Sequence, residues 1–226
     1  MTPALTVLYS GSKGNATVLS DGETAVLIDA GRSERALCQA LSAAEIAPEE
    51  LCAVFLTHEH CDHTAALNRL LSRRAMPVYV PEPCAGVLLR TAEPPLAAAL
   101  VPIPPLFSHR VGGFSVSAFP TLHDSAGSVG YRFTFGEGEK IHTVGYATDL
   151  GVVTPEVEKG LLGCECVVIE SNYDEEMLTT GPYPPDLKRR IASRHGHLSN
   201  TDSAALAAFL AANGTAKVCA GTSVGK

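Results

Sequence analysis

Three histidines and an aspartate lie close together in residues 58–63, which read His-Glu-His-Cys-Asp-His. Imidazole nitrogens and carboxylate oxygens are ligands that proteins use for zinc, manganese and iron. In an extended segment His58 and His60 point to the same side, while the residue between them points away. Asp62 and His63 follow in a first helical turn and reach the same space from another direction. This spacing predicts a metal site with room for two cations.

A strand and a helix must position this segment. The apolar residues 53–56 directly before it predict a buried strand. Leu67, Leu70 and Leu71 recur at helical spacing after it, and Asp62 is the predicted N-cap of that helix. We therefore expect the histidines in a turn from strand to helix, which is where α/β proteins place their chemistry.

Two later segments have the same form. Residues 114–119 alternate as a half-buried strand that runs into His123, and the predicted strand 141–147 ends at Asp149. By contrast, residues 93–105 carry five prolines and predict an irregular connection.

Composition limits the protein class. The chain has 226 residues, of which 46% are hydrophobic and 18% charged, so we expect one globular domain over residues 1–226. The net charge of −7 argues against indiscriminate coating of nucleic acid, but not against a local basic track. Seven cysteines without framework spacing predict free thiols. With no signal peptide and no membrane-spanning run, we expect a cytoplasmic protein that does not contact a membrane.

Two segments can be read in more than one way. Lys188, Arg189, Arg190 and Arg194 form the one concentration of positive charge, either as a solvated helix face or as a surface for an anionic substrate. Residues 10–15, Ser-Gly-Ser-Lys-Gly-Asn, form either a plain hairpin turn or a turn whose amides bind an anion.

Residues 58–63, His123 and Asp149, in this order and spacing, resemble the metallo-β-lactamase fold over nearly the whole chain. Four further segments are similar to the bacterial YycJ/WalJ group, which is associated with metal-dependent DNA exonuclease activity. They are residues 10–15, Glu-Ser-Asn-Tyr-Asp at 170–174, Gly-Pro-Tyr-Pro at 181–184 and Gly-His-Leu-Ser-Asn at 196–200. The resemblance implies an α/β protein, a four-layer αββα sandwich, with metals in a cleft at one edge of its sheets.

The resemblance also implies roles for single residues. The first metal would take His58, His60 and His123, the second would take Asp62 and His63, and Asp149 would bridge them. His197 would donate a proton to the leaving oxygen, and Asp62 would belong to the catalytic centre as well as to the ligand set. The residues expected to bind substrate are Ser12, Lys13, Asn15, Asn172 and Arg189.

The function expected from this resemblance is that of a dinuclear phosphodiesterase or DNA exonuclease, with zinc, manganese or iron as the two divalent ions. A water shared by two cations becomes hydroxide near neutral pH. The partner would be nucleic acid or another phosphodiester substrate. Two alternatives stay open: a thioester or small-ester hydrolase on the same fold, or a metal-binding relic with impaired catalysis.

The chain departs from the pattern at its end. Relatives in the group carry a further histidine after the last strand, in a Gly-His-Leu-Ser-like segment. Residues 221–226 read Gly-Thr-Ser-Val-Gly-Lys instead. We therefore expect a domain truncated at the C-terminus, as a frameshift would produce, and an incomplete second metal site.

Overall fold

A computed structural model describes residues 3–138 and 140–221. It contains strands β1 (Ala4–Tyr9), β2 (Ala16–Ser20), β3 (Ala25–Ile28), β4 (Leu51–Phe55), β5 (Val78–Pro81), β6 (Leu100–Ile103), β7 (Ser108–Val111), β8 (Phe114–Thr121), β9 (Ser128–Glu137), β10 (Lys140–Ala147), β11 (Cys166–Glu170) and β12 (Lys217–Gly221). Its helices are α1 (Glu34–Ala43), α2 (Cys61–Thr64), α3 (Leu67–Arg73), α4 (Glu82–Leu88), α5 (Pro94–Ala99), α6 (Pro155–Leu161), α7 (Glu175–Thr180), α8 (Pro185–Ile191) and α9 (Asn200–Ala212). A 3-10 turn, Pro48–Glu50, precedes β4.

The strands form two six-stranded sheets, in the orders β1-β2-β3-β4-β5-β6 and β12-β11-β10-β9-β8-β7. In the first sheet β3 to β6 run parallel. In the second, β10, β11 and β12 run parallel, and β8 shares their direction because both β8 and β10 are antiparallel to β9. The carboxyl ends of these strands therefore meet at one edge of each sheet, as predicted for the segments that carry chemistry.

Strand alternation divides the apolar residues among three cores. Val54 and Leu56 pack towards the helices that carry Leu37 and Leu67, whereas Phe55 packs between the sheets. Ile169 faces a third core with residues of α6 and α9. The layers are therefore helix, sheet, sheet and helix, which confirms the predicted αββα sandwich.

The prediction for residues 93–105 is wrong, because this segment forms α5 and β6. Two of its prolines occupy the first positions of α5, where the missing N–H costs no helical hydrogen bond. Pro102 lies in β6, an edge strand that pairs with β5 alone. Proline therefore begins one element and lies at a sheet edge in the other.

In the described residues, no helix is both long and apolar enough to cross a lipid bilayer. The expectation about the missing histidine and the truncated end falls on residues 222–226, which lie outside the described part of the chain.

Candidate metal centre

Strand ends from both sheets bring the predicted ligands together. His58, His60 and His63 follow β4, and His123 follows β8. Ring centroids lie 4.5 Å apart for His58 and His60, and 5.0 Å apart for His58 and His123. Asp149, after β10, places a carboxylate oxygen 3.2 Å from His63 Nε2. We call these five residues the strand-end cluster.

Three overlapping groups in the described part of the chain have a geometry that can hold a metal ion. Their ligand atoms lie within 4.8 Å of one another. The groups are His58, His60 and His123; His58, His63 and Asp149; and His123, Asp149 and His197. His58, His123 and Asp149 each belong to two of them, so the groups share one pocket, and Asp149 is the carboxylate among the shared residues.

Each of four imidazoles has one nitrogen held by an oxygen. His58 Nδ1 lies 3.0 Å from Thr57 Oγ1, and His123 Nδ1 donates to the Gly196 carbonyl at 2.9 Å. His63 Nδ1 lies 2.8 Å from Asp29 Oδ2, and His197 Nδ1 lies 2.6 Å from Glu170 Oε1. These contacts occupy Nδ1 and leave Nε2 as the nitrogen that can bind a metal ion when it carries no proton.

The environment of His58 indicates whether the strand-end cluster can hold a cation. Its Nε2 is buried and has no hydrogen-bond partner among the described residues. Burial, together with the neighbouring His63, holds the pKa of His58 well below its ordinary value, so the imidazole is neutral. A buried polar atom without a partner is costly, and a metal ion would satisfy this one. The residues therefore fit the metal that the sequence predicts.

Asp149 is positioned by an unusual backbone conformation. Its φ of 53° is left-handed, which aspartate tolerates better than most residues. Burial would raise the pKa of this carboxyl, but the surrounding imidazoles, above all His63, outweigh burial and hold it well below the usual range. The ionised carboxylate is the state that can coordinate two cations.

Asp62 takes a different place from the one expected. The helix that carries Leu67 is α3, with Ala66 at its N-cap position, and Asp62 lies in the short preceding helix α2, so the prediction of Asp62 as N-cap is wrong. The backbone N–H of His63 bonds to the His60 carbonyl, which starts the turn earlier. Asp62 Oδ2 lies 3.6 Å from His63 Nε2, outside the three groups described above.

The predicted substrate residues divide into two kinds. Ser12, Lys13 and Arg189 are exposed. Asn15 and Asn172 are buried: the Asn15 amide donates to Asp62 Oδ2 at 3.3 Å, and the Asn172 amide donates to Glu170 at 2.9 Å. Asn15 therefore contacts the candidate ligands directly, since its Nδ2 also lies 3.0 Å from His63 Nε2, whereas Asn172 reaches His197 only through Glu170.

Two buried carboxylates were not assigned from the sequence. Asp29 accepts from the Thr57 amide and hydroxyl as well as facing His63. Glu170 accepts from the amides of Leu150 and Leu198 with one oxygen. Burial would lower the pKa of His197, but the hydrogen bond to Glu170 outweighs it and raises that pKa. Both residues follow or end a strand, which is the signal that could have found them.

Comparisons with known proteins agree with this architecture. Residues 24–220 match the family model described as the beta-lactamase superfamily domain. The chain is 32% identical over 204 residues to exodeoxyribonuclease YycJ of Bacillus anthracis, covering 88% of this chain and 74% of that protein. It is 29% identical over 219 residues to exodeoxyribonuclease WalJ of Streptococcus pneumoniae serotype 2, covering 95% and 79%.

The fold also matches solved structures. The metallo-beta-lactamase fold protein YhfI from Bacillus subtilis superposes with a TM-score of 0.72 at 17% identity, covering 100% of this chain and 89% of that one. At that identity the likeness shows the fold alone. Together with the family match and the YycJ and WalJ relatives, it shows that this chain belongs to the beta-lactamase superfamily, with a metallo-β-lactamase fold of the YycJ/WalJ-like kind.

Proposed function

We propose that this protein is a metal-dependent hydrolase that cleaves phosphodiester bonds in DNA as an exonuclease, using two divalent ions. The observation that carries the proposal is that two candidate metal groups, one of three histidines and one that contains Asp149, lie side by side and share His58. The exodeoxyribonuclease names of the YycJ and WalJ relatives support the choice of substrate. Seven free thiols support a reducing, cytoplasmic location.

In this proposal His58, His60 and His123 would hold the first ion, His63 and Asp62 would hold the second, and Asp149 would be shared between them. Zinc, manganese and iron all suit imidazole and carboxylate ligands. When bound, a metal pair lowers the pKa of water and stabilises the charge on the attacking and leaving oxygens.

The chain's own residues orient these ligands and move a proton. Asp29 and Thr57 keep Nδ1 of His63 and His58 occupied, so that Nε2 faces the metal positions. Asn15 holds Asp62 beside His63. Glu170 accepts the Nδ1 proton of His197 and raises the pKa of this imidazole, so the protonated ring carries a second proton on Nε2 that it can give to the leaving oxygen.

Phosphates along the strand would meet exposed groups at the mouth of the site. Ser12 and Lys13 lie on the loop between β1 and β2, and Arg189 lies on α8. Asn172 donates to Glu170, which in turn holds Nδ1 of His197, so Asn172 helps to fix the position of His197.

The test is digestion of end-labelled single- and double-stranded DNA with added manganese or zinc, together with metal analysis of the purified protein. The proposal expects nucleotide release from DNA ends and about two metal ions per chain. No cleavage with either ion, combined with turnover of a thioester or small ester, would assign the site to the other hydrolase class. Less than one ion per chain without any hydrolysis would identify a metal-binding relic.

A further inference from the structure

A carboxylate lies between the strand-end cluster and the basic helix α8. Asp124 Oδ1 lies 3.2 Å from His123 Nε2, which is a candidate ligand atom of the metal centre. The other oxygen of Asp124 accepts a hydrogen bond from Arg190 Nε on α8. Asp124 therefore connects an arginine to the metal centre through two anionic oxygens.

Helix α8 is fixed firmly beside the site. A Cβ on Gly196 would lie 2.2 Å from the carbonyl oxygens of Arg190 and Ile191, at the end of α8. Gly196 in turn holds His123 through its own carbonyl. A Cβ on Gly151, close to Asp149 in sequence, would lie 2.5 Å from the Arg194 carbonyl. The backbone of α8 and its following turn is thus in contact with two of the three segments that bear ligands, those of His123 and Asp149.

The cations of α8 differ in what they contact. Lys188 donates to the Thr179 carbonyl, and Arg189 pairs with Asp186 on its own helix. Arg190 contacts a residue adjacent to the metal centre, and 61% of its side chain is nevertheless exposed. Among the contacts described, Asp124 engages the guanidinium through Nε, so a ligand that binds Nε and Nη together can displace it.

We propose that Arg190 binds a phosphate of the DNA strand next to the scissile bond, and that Asp124 is its resting counter-ion, which the phosphate replaces. The proposal rests on the proposed function. A carboxylate and a phosphodiester each present two anionic oxygens, and the planar guanidinium fork binds either in a bidentate manner. Asp124 thus occupies, in the free protein, a position that a substrate phosphate would take.

The proposal predicts that substitutions of Arg190 and of Asp124 change the affinity for DNA in opposite directions. Arg190→Gln removes the phosphate contact and weakens binding, whereas Asp124→Asn removes a competing anion and strengthens it. If the pair only fastened α8 to the strand ends, both substitutions would weaken binding and lower the melting temperature together. In the Arg190→Gln background, Asp124→Asn loses its effect, because the two anions compete for that one arginine.

The experiment measures binding of a 5′-fluorescein single-stranded oligodeoxynucleotide with a phosphorothioate backbone, by anisotropy, to the metal-loaded protein and to protein treated with chelator. Arg190→Gln should raise Kd about tenfold and reduce the slope of log K against log salt by about 0.7. Asp124→Asn should lower Kd roughly twofold to fivefold, as expected for loss of an exposed ion pair. The matched control is Arg90→Gln, since Arg90 is exposed and lies beyond the end of α4 that is remote from the site.

Melting temperature and metal content accompany each variant. A tighter Asp124→Asn variant and a weaker Arg190→Gln variant, both with wild-type metal content, establish the proposal. Equal weakening by both variants, or an Arg190→Gln effect no larger than that of Arg90→Gln, overturns it while wild-type cleavage of DNA still supports the proposed function. Absence of both DNA binding and DNA cleavage in the wild-type protein overturns both.

Discussion

The strand-end cluster and the exposed surface of α8, which we call the rim, are adjacent but differ in how their polar groups are held. In the cluster, His63 and His58 are almost completely buried, and each has its Nδ1 held by a neighbouring oxygen. On the rim, Arg189 and its partner Asp186 are 74% and 90% exposed. Buried groups are fixed by several short contacts, whereas exposed ion pairs are weak and screened by salt. Substitutions in the cluster should therefore abolish a function, and substitutions on the rim should adjust it by degrees.

Gly196 is where the two regions meet. Its carbonyl holds His123, and it packs without space for a Cβ against the end of α8. The end of α8 is therefore packed against the residue that holds His123. Substitutions in the cluster and on the rim can show whether the two regions act separately or together.

The largest effect is expected from Asp149→Ala, which removes the carboxylate shared by two candidate metal groups. Hydrolysis should be abolished and bound metal reduced, because the bridge fixes both ions. The protein should still fold, since the strands that carry the cluster are held by three apolar cores. Metal analysis, circular dichroism and the DNA digestion assay check this. His58→Ala should behave alike, and near-normal turnover of Asp149→Ala would show that two bridged metals are not used.

The next largest effect is expected from His197→Ala. This residue lies partly at the surface of the site, and its Nδ1 is held by Glu170. Loss of a general acid lowers turnover by roughly 10²–10⁴-fold. Metal content should stay at the wild-type value, and the rate loss should be smaller for a DNA analogue with a better leaving group. Loss of bound metal in this variant would instead make His197 a ligand, consistent with its place in the third candidate group.

Asp29→Asn should weaken the second metal site without removing any ligand. Asp29 accepts from His63 Nδ1 at 2.8 Å, and an amide group in its place can present a donor to that nitrogen. The imidazole would then carry its proton on Nε2, where the metal must bind. Changes to such supporting residues typically cost about 10–100-fold in metal affinity. Titration of the chelator-treated protein with zinc measures this, and Thr17→Ser, at a buried hydroxyl in β2, is the matched control. Unchanged zinc affinity would mean that the His63 tautomer is set by another contact.

The cluster was predictable because its signals are local. A buried strand followed by His58, His60 and His63 identifies both an element and the groups at its end, and His123 and Asp149 also follow strands. The roles of these groups came from the family resemblance and stay proposals. The residues that orient these ligands were harder to predict. Asp29 lies far from His63 in the sequence, and no neighbouring residue indicates its left-handed φ of 58°.

The rim could not be resolved from the sequence for a different reason. Arg189 and Arg190 are adjacent and chemically identical, and only the orientation of α8 decides which one approaches the metal centre. The assignment of substrate binding to Arg189 stays a prediction, and the structure adds that the neighbouring Arg190 lies against Asp124. Tertiary packing also determined the structure of residues 93–105. Their prolines suggested an irregular connection, but two of them begin a helix and one lies in an edge strand.

The smallest effect is expected from Arg189→Gln, and it sharpens the comparison within the rim itself. Arg189 pairs with Asp186 three residues earlier on the exposed face of α8, so its loss should change the free energy of unfolding by no more than about 0.5 kcal/mol. Its charge still attracts DNA over a distance, and this contribution should raise Kd for the phosphorothioate oligonucleotide by about twofold at low salt. The effect should vanish near 0.5 M salt, where the Debye length is only about 4 Å. Anisotropy titrations at both salt concentrations test this, with Arg190→Gln alongside. A tenfold loss that persists at high salt would show that Arg189 makes the direct phosphate contact, and that α8 turns on binding so as to exchange the roles of its two arginines.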